Sequence, residues 1–198
     1  EDSEGRHLFQ RWCEEAGCTM GVDTMGNMFA TRAGEDSEAL PVYVGSHLDT
    51  QPTGGKYDGV LGVLSGLEII RTLNDLGIKT KHPIVVTNWT NEEGTRFAPP
   101  MLSSGVFAGL HAQDWAYDRE DSEGLKFGDE LRRIGWVGDE VVGGQVIGHV
   151  QETETIIHKI MVPPTANGTV KSIESGDFNV TQTICVLEDG TEMQMMQK

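Results

Sequence analysis

The sequence predicts an α/β fold over residues 1–135, followed by a small all-β barrel or sandwich over residues 136–198. Helical and strand patterns alternate in the first segment, which is typical of α/β proteins. In the second segment helical periodicity disappears, and short β-rich runs are separated by Gly, Pro and acidic turns. The apolar pair at 146–147 recurs 38 residues later at 184–185, as part of a weak repeat that predicts two β-hairpin units packed face to face.

Each element of the α/β segment is predicted from its local pattern. Apolar residues recur at helical spacing over residues 7–16, and this helix should end at Gly17. A second helix is predicted over residues 60–76, between Asp58 and Gly77. Extended runs with turn residues or β-branched side chains predict strands. They lie over residues 20–31, with a turn at Asn27, and over residues 41–45 and 82–90.

The composition excludes several classes of partner. The chain has 15 Lys and Arg against 31 Asp and Glu, for a formal net charge of −16. An acidic surface repels nucleic-acid phosphates and anionic lipid, so we expect neither nucleic acid nor a membrane as partner. No apolar run reaches the roughly 18 residues of a membrane-spanning helix. The charged first residues do not resemble a signal peptide, and we expect a cytoplasmic protein.

The cysteines predict neither a disulfide framework nor a zinc knuckle. Cys13, Cys18 and Cys185 are odd in number and form no CxxC pair. We therefore expect three free thiols.

Three polar clusters carry the candidate chemistry of the first segment. They occupy residues 45–50, 56–59 and 90–94, each just after a predicted strand or just before a predicted helix. Functional sites gather at the carboxyl ends of strands in an open parallel sheet. We therefore expect the side chains of these clusters to meet in one crevice.

The residue types in these clusters indicate metal-assisted hydrolysis. Zinc accepts imidazole nitrogen and carboxylate oxygen, which His47, Asp58 and Glu93 offer. One carboxylate can bridge two cations while another, such as Glu92, takes a proton from water. Taken singly, His47 has the alternative interpretation of a hydrogen-bonded histidine at a strand end. Glu92 and Glu93 can likewise be an ordinary solvated pair, and it is the conjunction that favours a site.

Consecutive motifs in residues 45–62 and 90–97 resemble the N-carbamoyl-L-amino-acid hydrolase and allantoate amidohydrolase family of two-zinc enzymes. They are Gly-Ser-His-Leu-Asp-Thr, Gln-Pro-Thr-Gly-Gly-Lys-Tyr-Asp-Gly-Val-Leu-Gly and Thr-Asn-Glu-Glu-Gly-Thr-Arg-Phe. The resemblance covers residues 5–140 and implies the N-terminal part of the catalytic domain. It implies that His47 binds one metal, Asp58 bridges both, and Glu93 binds the second. It further implies that Glu92 is the general base and that Asp49 orients His47. Gln51, Arg96 and Phe97 would line the site.

The sequence also departs from that family. The family supplies two further histidine ligands, one in a His-Ile-Glu-Gln-Gly-Pro motif, and neither occurs in this sequence. The flanks of His149 and His158 do not match these motifs. The resemblance therefore implies a truncated sheet and a weakly held zinc or other divalent metal. An uncovered sheet edge favours self-association, so we expect a homo-oligomer.

The second segment resembles the bulge region of the catalytic A subunit of archaeal and vacuolar-type ATP synthases. The matching motifs lie at residues 148–153, 158–164, 168–171 and 175–178. The resemblance implies a small β module over residues 136–198. No Gly-x-x-x-x-Gly-Lys-Ser/Thr sequence occurs, so we expect no bound nucleotide, neither ATP nor NAD. The segment also resembles a biotinyl or lipoyl carrier, but Gln194 stands where the carrier lysine would be.

Two unrelated signatures that meet at residues 137–140 indicate a chimera joined at a shared stretch; the alternative is a natural chain. Three functional hypotheses follow. The first is a catalytically incomplete protein derived from a metal-dependent amidohydrolase. The second is residual or oligomer-completed hydrolysis of small carbamoyl or ureido compounds. The third is a structural or interaction module.

Overall fold

The computed structural model describes residues 2–137, 140–141, 143–151, 157–163, 166–174 and 176–195. Within these residues, an α/β arrangement is followed by strands without helices, as predicted. The helices are α1 (Asp2–Glu15), α2 (Val60–Asp75), α3 (Leu102–Phe107), α4 (Gln113–Tyr117) and α5 (Phe127–Ile134). The strands of the first part are β1 (Thr19–Val22), β2 (Met28–Arg32), β3 (Val42–His47) and β4 (Ile84–Trp89). Those of the second part are β5 (Glu140–Val141), β6 (Val146–Gln151), β7 (Ile157–Met161), β8 (Gly168–Ile173), β9 (Thr183–Leu187) and β10 (Glu192–Gln194).

The first four strands form a mixed sheet in the order β1-β2-β4-β3. Strands β3 and β4 are parallel, with Val42 opposite Ile84 and His47 opposite Trp89. The sheet is mixed because the other two pairs, β1–β2 and β2–β4, are antiparallel. The physical reason lies in the connections. A short turn joins β1 to β2, whereas helix α2 crosses over between β3 and β4.

Helices α1 and α2 pack on one face of this sheet. Val63, Leu67 and Ile70 recur at helical spacing on α2 and are buried. Helix α2 lies so close to β4 that a Cβ at Gly66 would be 2.8 Å from the side chain of Val86. The core between helices and sheet comprises Phe9, Cys13, Cys18, Met28, Ala30, Val63, Leu67, Ile70, Val86 and Trp136.

The opposite face of the sheet carries an aromatic cluster. The ring of Phe29 on β2 packs edge-on against Trp89 and stacks on Phe107 of α3. Helices α3 to α5 build a further core, in which Phe97 packs against Phe127. None of these short helices was predicted individually.

The second part is all-β, as predicted. One antiparallel sheet has the order β10-β9-β8-β5, and β6 and β7 form a separate hairpin. Its core comprises Val162, Cys185, Leu187 and Met193. The recurring apolar pairs lie on β6 and β9, and each of these strands pairs with the strand that follows it. Three other positions of the repeat, 138, 139 and 142, lie outside the described residues, as does part of the stretch at 137–140.

Hydrogen bonds and a ring contact between described residues join the two parts. The hydroxyl of Tyr43 donates to the carbonyl of Gly143, and Lys159 donates to the carbonyl of Ala108. Trp136 contacts the ring of His7 on α1. The division at residues 135 and 136 stays a prediction.

Cys13, Cys18 and Cys185 are buried free thiols, which confirms that expectation. Burial is the main cause that raises the pKa of Cys13 to about 12. No helix in the described part of the chain is both long and apolar enough to span a bilayer.

Adjacent isoleucines on α2 provide a test of the core. Ile70 is fully buried, whereas Ile69 is 45% exposed. We expect Ile70→Ala to lower the free energy of unfolding by about 2–5 kcal/mol, because it removes buried methyl groups and leaves a cavity. Ile69→Ala should change it by about 0.5 kcal/mol or less. Urea denaturation measures both, and equal effects would contradict the packing of α2 on the sheet.

Candidate metal centre

The parallel pairing of β3 and β4 brings the candidate site together. His47 is the last residue of β3 and lies opposite Trp89, the last residue of β4. The segments that follow the two strands therefore leave the sheet side by side. One carries Asp49, and the other carries Glu92 and Glu93.

His47, Asp58 and Glu93 form the candidate ligand cluster. One nitrogen or oxygen atom from each residue lies within 4.8 Å of the others. His47 is buried, and its Nε2 lies 3.9 Å from Oδ1 of Asp58. The three residues expected to bind metal thus converge from three separate segments of the chain.

Gly59 allows the turn carrying Asp58 to approach the His47 ring. Its φ is 69°, in the left-handed region that favours glycine. A Cβ at this position would lie 2.5 Å from Nδ1 and Cε1 of His47. A larger residue would therefore push Asp58 away from the imidazole.

The hydrogen bond of His47 determines which ring nitrogen faces the cluster. Nδ1 lies 2.9 Å from the main-chain oxygen of Asp49. A carbonyl oxygen only accepts, so Nδ1 carries a proton and Nε2 is the ring nitrogen that can offer a lone pair to a metal. The carboxylate of Asp49 is farther away, with 3.7 Å between Oδ1 and Nδ1. Asp49 therefore orients the ring mainly through its backbone.

The Asp49 carboxylate instead holds the loop after β4. Its Oδ1 accepts a hydrogen bond from the Glu92 N–H at 3.1 Å, and its Oδ2 accepts one from the Glu93 N–H at 3.0 Å. One side chain thus fixes two consecutive peptide units, which places both glutamates beside His47.

The donor set fits a divalent cation. Oε1 of Glu93 is buried and accepts no hydrogen bond from the described residues. Such an acceptor is costly unless another group satisfies it, and a cation would do so. One imidazole nitrogen with two carboxylates suits zinc and similar divalent ions.

Glu92 lies beside the ligand atoms rather than among them. Its Oε2 is 3.3 Å from Nε2 of His47, and the side chain is 31% exposed. A partly exposed carboxylate next to metal ligands can exchange protons with water. This position is consistent with the role of general base.

Arg96 and Phe97 line a cavity of about 430 Å³ that also touches Asp49 and Asn91. Arg96 donates to Asp121 and Glu130, at 3.0 and 2.8 Å. Hydrogen bonds, from Arg133 first and then from Arg96, lower the pKa of Glu130 to about 2. The Arg96 guanidinium is therefore already neutralised by carboxylates.

Other candidate residues lie apart from the cluster. Gln51 is exposed in the turn after β3. His149 lies on β6 and His158 on β7, in the second part of the chain. Neither belongs to the group of possible metal ligands found among the described residues.

Sequence reasoning placed Asn27 at a turn and Thr90 in the polar cluster at residues 90–94, but missed the hydrogen bond by which these two residues hold the start of the glutamate loop. The main-chain N–H of Thr90 donates to Oδ1 of Asn27 at 2.9 Å. The only signal in the sequence is a polar interruption of an extended run, which is equally typical of an ordinary turn.

Comparison with family models gives two separate matches. Residues 27–121 match Peptidase family M28, and residues 132–198 match the ATPsynthase alpha/beta subunit barrel-sandwich domain. All the candidate site residues lie within the first match. Both resemblances inferred from the sequence are thus confirmed, each for one part of the chain.

Individual relatives show the same division. An N-carbamoyl-L-amino-acid amidohydrolase of Rhizobium meliloti is 75% identical over 144 residues, covering 73% of this chain and 35% of the relative. The A subunit of an A-type ATP synthase from Methanosarcina barkeri is 59% identical over 69 residues, covering 35% of this chain and 12% of the relative. This chain therefore spans about a third or less of the relatives it matches.

A solved structure supports the fold of the first part. A hydantoinase/carbamoylase family amidase from Burkholderia multivorans matches with a TM-score of 0.68 and 59% identity. The match covers 70% of this chain and 34% of that protein.

The two hydrogen bonds to Asp49 generate a prediction. In Asp49→Asn, an NH₂ group replaces one of the two carboxylate oxygens, so the N–H of Glu92 or of Glu93 loses its acceptor. We expect this substitution to lower the free energy of unfolding by about 1–3 kcal/mol. Amide hydrogen exchange at Glu92 and Glu93 should accelerate. The exposed Asp75→Asn provides the matched control. Unchanged protection of both amides in Asp49→Asn would contradict the assigned bonds.

Proposed function

We propose that the first part of this chain carries the half-site of a metal-dependent amidohydrolase. The observation that carries the proposal is the convergence of His47, Asp58 and Glu93, together with the buried and unsatisfied Oε1 of Glu93. The similarity to N-carbamoyl-L-amino-acid amidohydrolases supports carbamoyl or ureido C–N bonds as the substrate class.

Each residue of the cluster has a proposed role. His47, Asp58 and Glu93 hold the cation, for which zinc is our proposed identity because the donor set is one nitrogen with carboxylate oxygens. A divalent cation supplies Lewis acidity toward a carbonyl and toward water. Glu92 takes a proton from water and returns it to the leaving nitrogen, which general acid–base catalysis of C–N cleavage requires.

We further propose that the chain is catalytically incomplete. Three donor residues suffice for one cation, whereas the family resemblance implies a centre with two cations. One family match ends at residue 121 and the other begins at residue 132, which supports a chimera of an amidohydrolase part and an ATP synthase β module. The position of Glu92 favours the alternative, a residual metal-dependent amidohydrolase activity, because the general base remains beside the ligands.

Exposed apolar side chains support the proposal of a homo-oligomer. β3 is an edge strand of its sheet, with Val42 55% and Tyr43 40% exposed. On α2, Leu61 is 63% exposed. An open edge beside apolar side chains favours pairing between chains.

Metal binding tests the half-site directly. We expect Co²⁺ titration, followed by visible absorbance, to saturate at one ion per chain, since three ligands converge at one place. His47→Ala should abolish binding. His82→Ala should leave it unchanged, because His82 precedes β4 at the other end of the sheet. After dialysis, elemental analysis should find well under one zinc per chain. Retention of two zinc ions, or unchanged binding in His47→Ala, would contradict the half-site.

A hydrolysis assay distinguishes a catalytically incomplete centre from one with residual amidohydrolase activity. We expect the zinc-loaded chain to release no ammonia from N-carbamoyl-L-amino acids above a blank of zinc in buffer. Zinc-dependent release that is lost in Glu92→Gln, with Co²⁺ affinity retained, would contradict incompleteness. It would establish Glu92 as the base, whose removal costs about 10²–10⁴-fold in rate.

A further inference from the structure

The loop that carries Glu92 and Glu93 is anchored at its first residue. Thr90 is buried, and each of its polar groups is bonded. Its hydroxyl donates to the carbonyl of Gly26 at 2.7 Å and accepts from Arg6 at 3.0 Å. Its carbonyl accepts a hydrogen bond from the hydroxyl of Ser103. Its N–H donates to Oδ1 of Asn27 at 2.9 Å, so the loop starts from a fixed peptide unit.

A buried carboxylate orients Asn27. Its side-chain Nδ2 donates to Oδ2 of Asp23 at 2.8 Å, and its main-chain N–H donates to Oδ1 of the same residue at 2.9 Å. Burial raises the pKa of Asp23 to about 6, so above neutral pH this carboxylate only accepts. The Asn27 amide must therefore present nitrogen to Asp23 and oxygen to Thr90.

The residue after Thr90 shows why this anchor matters. Asn91 has a φ of 52°, in the left-handed region that L-residues rarely adopt. Its side chain donates to the carbonyl of Phe97 at 2.7 Å, which closes the loop. A residue held in this conformation persists only when its surroundings determine it. From that turn, the N–H groups of Glu92 and Glu93 point at Asp49.

We propose that Asn27 is a positioning residue for the metal centre, acting through Thr90 on the placement of Glu92 and Glu93. Asn27 lies on the turn between β1 and β2, and its side chain bonds to Asp23 and to the N–H of Thr90. The inference rests on the proposed function only where it concerns metal affinity. The placement of the loop is independent of any ligand and is tested separately.

The test compares Asn27→Ala with Ile70→Ala, which should destabilise the chain from a place remote from the loop. In Asn27→Ala we expect amide exchange at Glu92 and Glu93 to accelerate at least about tenfold beyond the control. Co²⁺ affinity should fall about 10–100-fold, as when other partners that orient ligands are removed. Ile70→Ala should keep the Co²⁺ affinity and absorption spectrum of the unmodified chain.

A second variant serves if Asn27→Ala fails to fold. Asn27→Leu keeps the approximate size of the side chain but loses the Oδ1 that accepts from the Thr90 N–H, and should show the same two effects.

The outcomes separate the two proposals. If the unmodified chain binds no Co²⁺, the half-site is wrong, and amide exchange still decides the role of Asn27. Amide exchange and Co²⁺ affinity equal to those of Ile70→Ala, in Asn27→Ala or, if that variant does not fold, in Asn27→Leu, would overturn the positioning role.

Discussion

The parallel pairing of β3 and β4 is the constraint on which the candidate site depends. Because His47 lies opposite Trp89, the segments after both strands begin at the same edge of the sheet. The Asp49 carboxylate then joins them through the N–H groups of Glu92 and Glu93. A shift of one residue in this register would turn His47 to the other face of the sheet. The ligand cluster is thus a consequence of strand pairing.

The same arrangement concentrates negative charge. Asp49, Asp58, Glu92 and Glu93 surround one imidazole, and like charges at such separations oppose each other. The described contacts offset this repulsion only in part, since the bonded N–H groups serve Asp49, and Oε1 of Glu93 remains unsatisfied. A hydrogen-bonded loop therefore holds carboxylates together against their repulsion. A bound cation would remove that repulsion, which is the physical reason for interpreting the cluster as a metal centre.

Local patterns predicted the parts of the fold that depend on local sequence. The helix at Val60–Asp75 and the strand at Ile84–Trp89 lie close to their expected bounds. The placement of their clusters just after a strand or just before a helix predicted that His47, Asp58 and Glu93 converge, and the family resemblance implied their roles. Local patterns did not predict which residues far apart in the sequence contact each other. The ion pairs of Arg96 with Asp121 and Glu130 join residues 25 and 34 positions apart, and no periodicity indicates them.

The site and its anchors belong to one part of the chain. Every residue assigned to the centre or to its positioning lies between Arg6 and Ser103, before the β module begins. The core of that module, around Cys185 and Leu187, is separate from the cores that surround the mixed sheet. Among the described residues, the possible metal ligands and the hydrogen bonds that place the glutamate loop therefore all come from the α/β part.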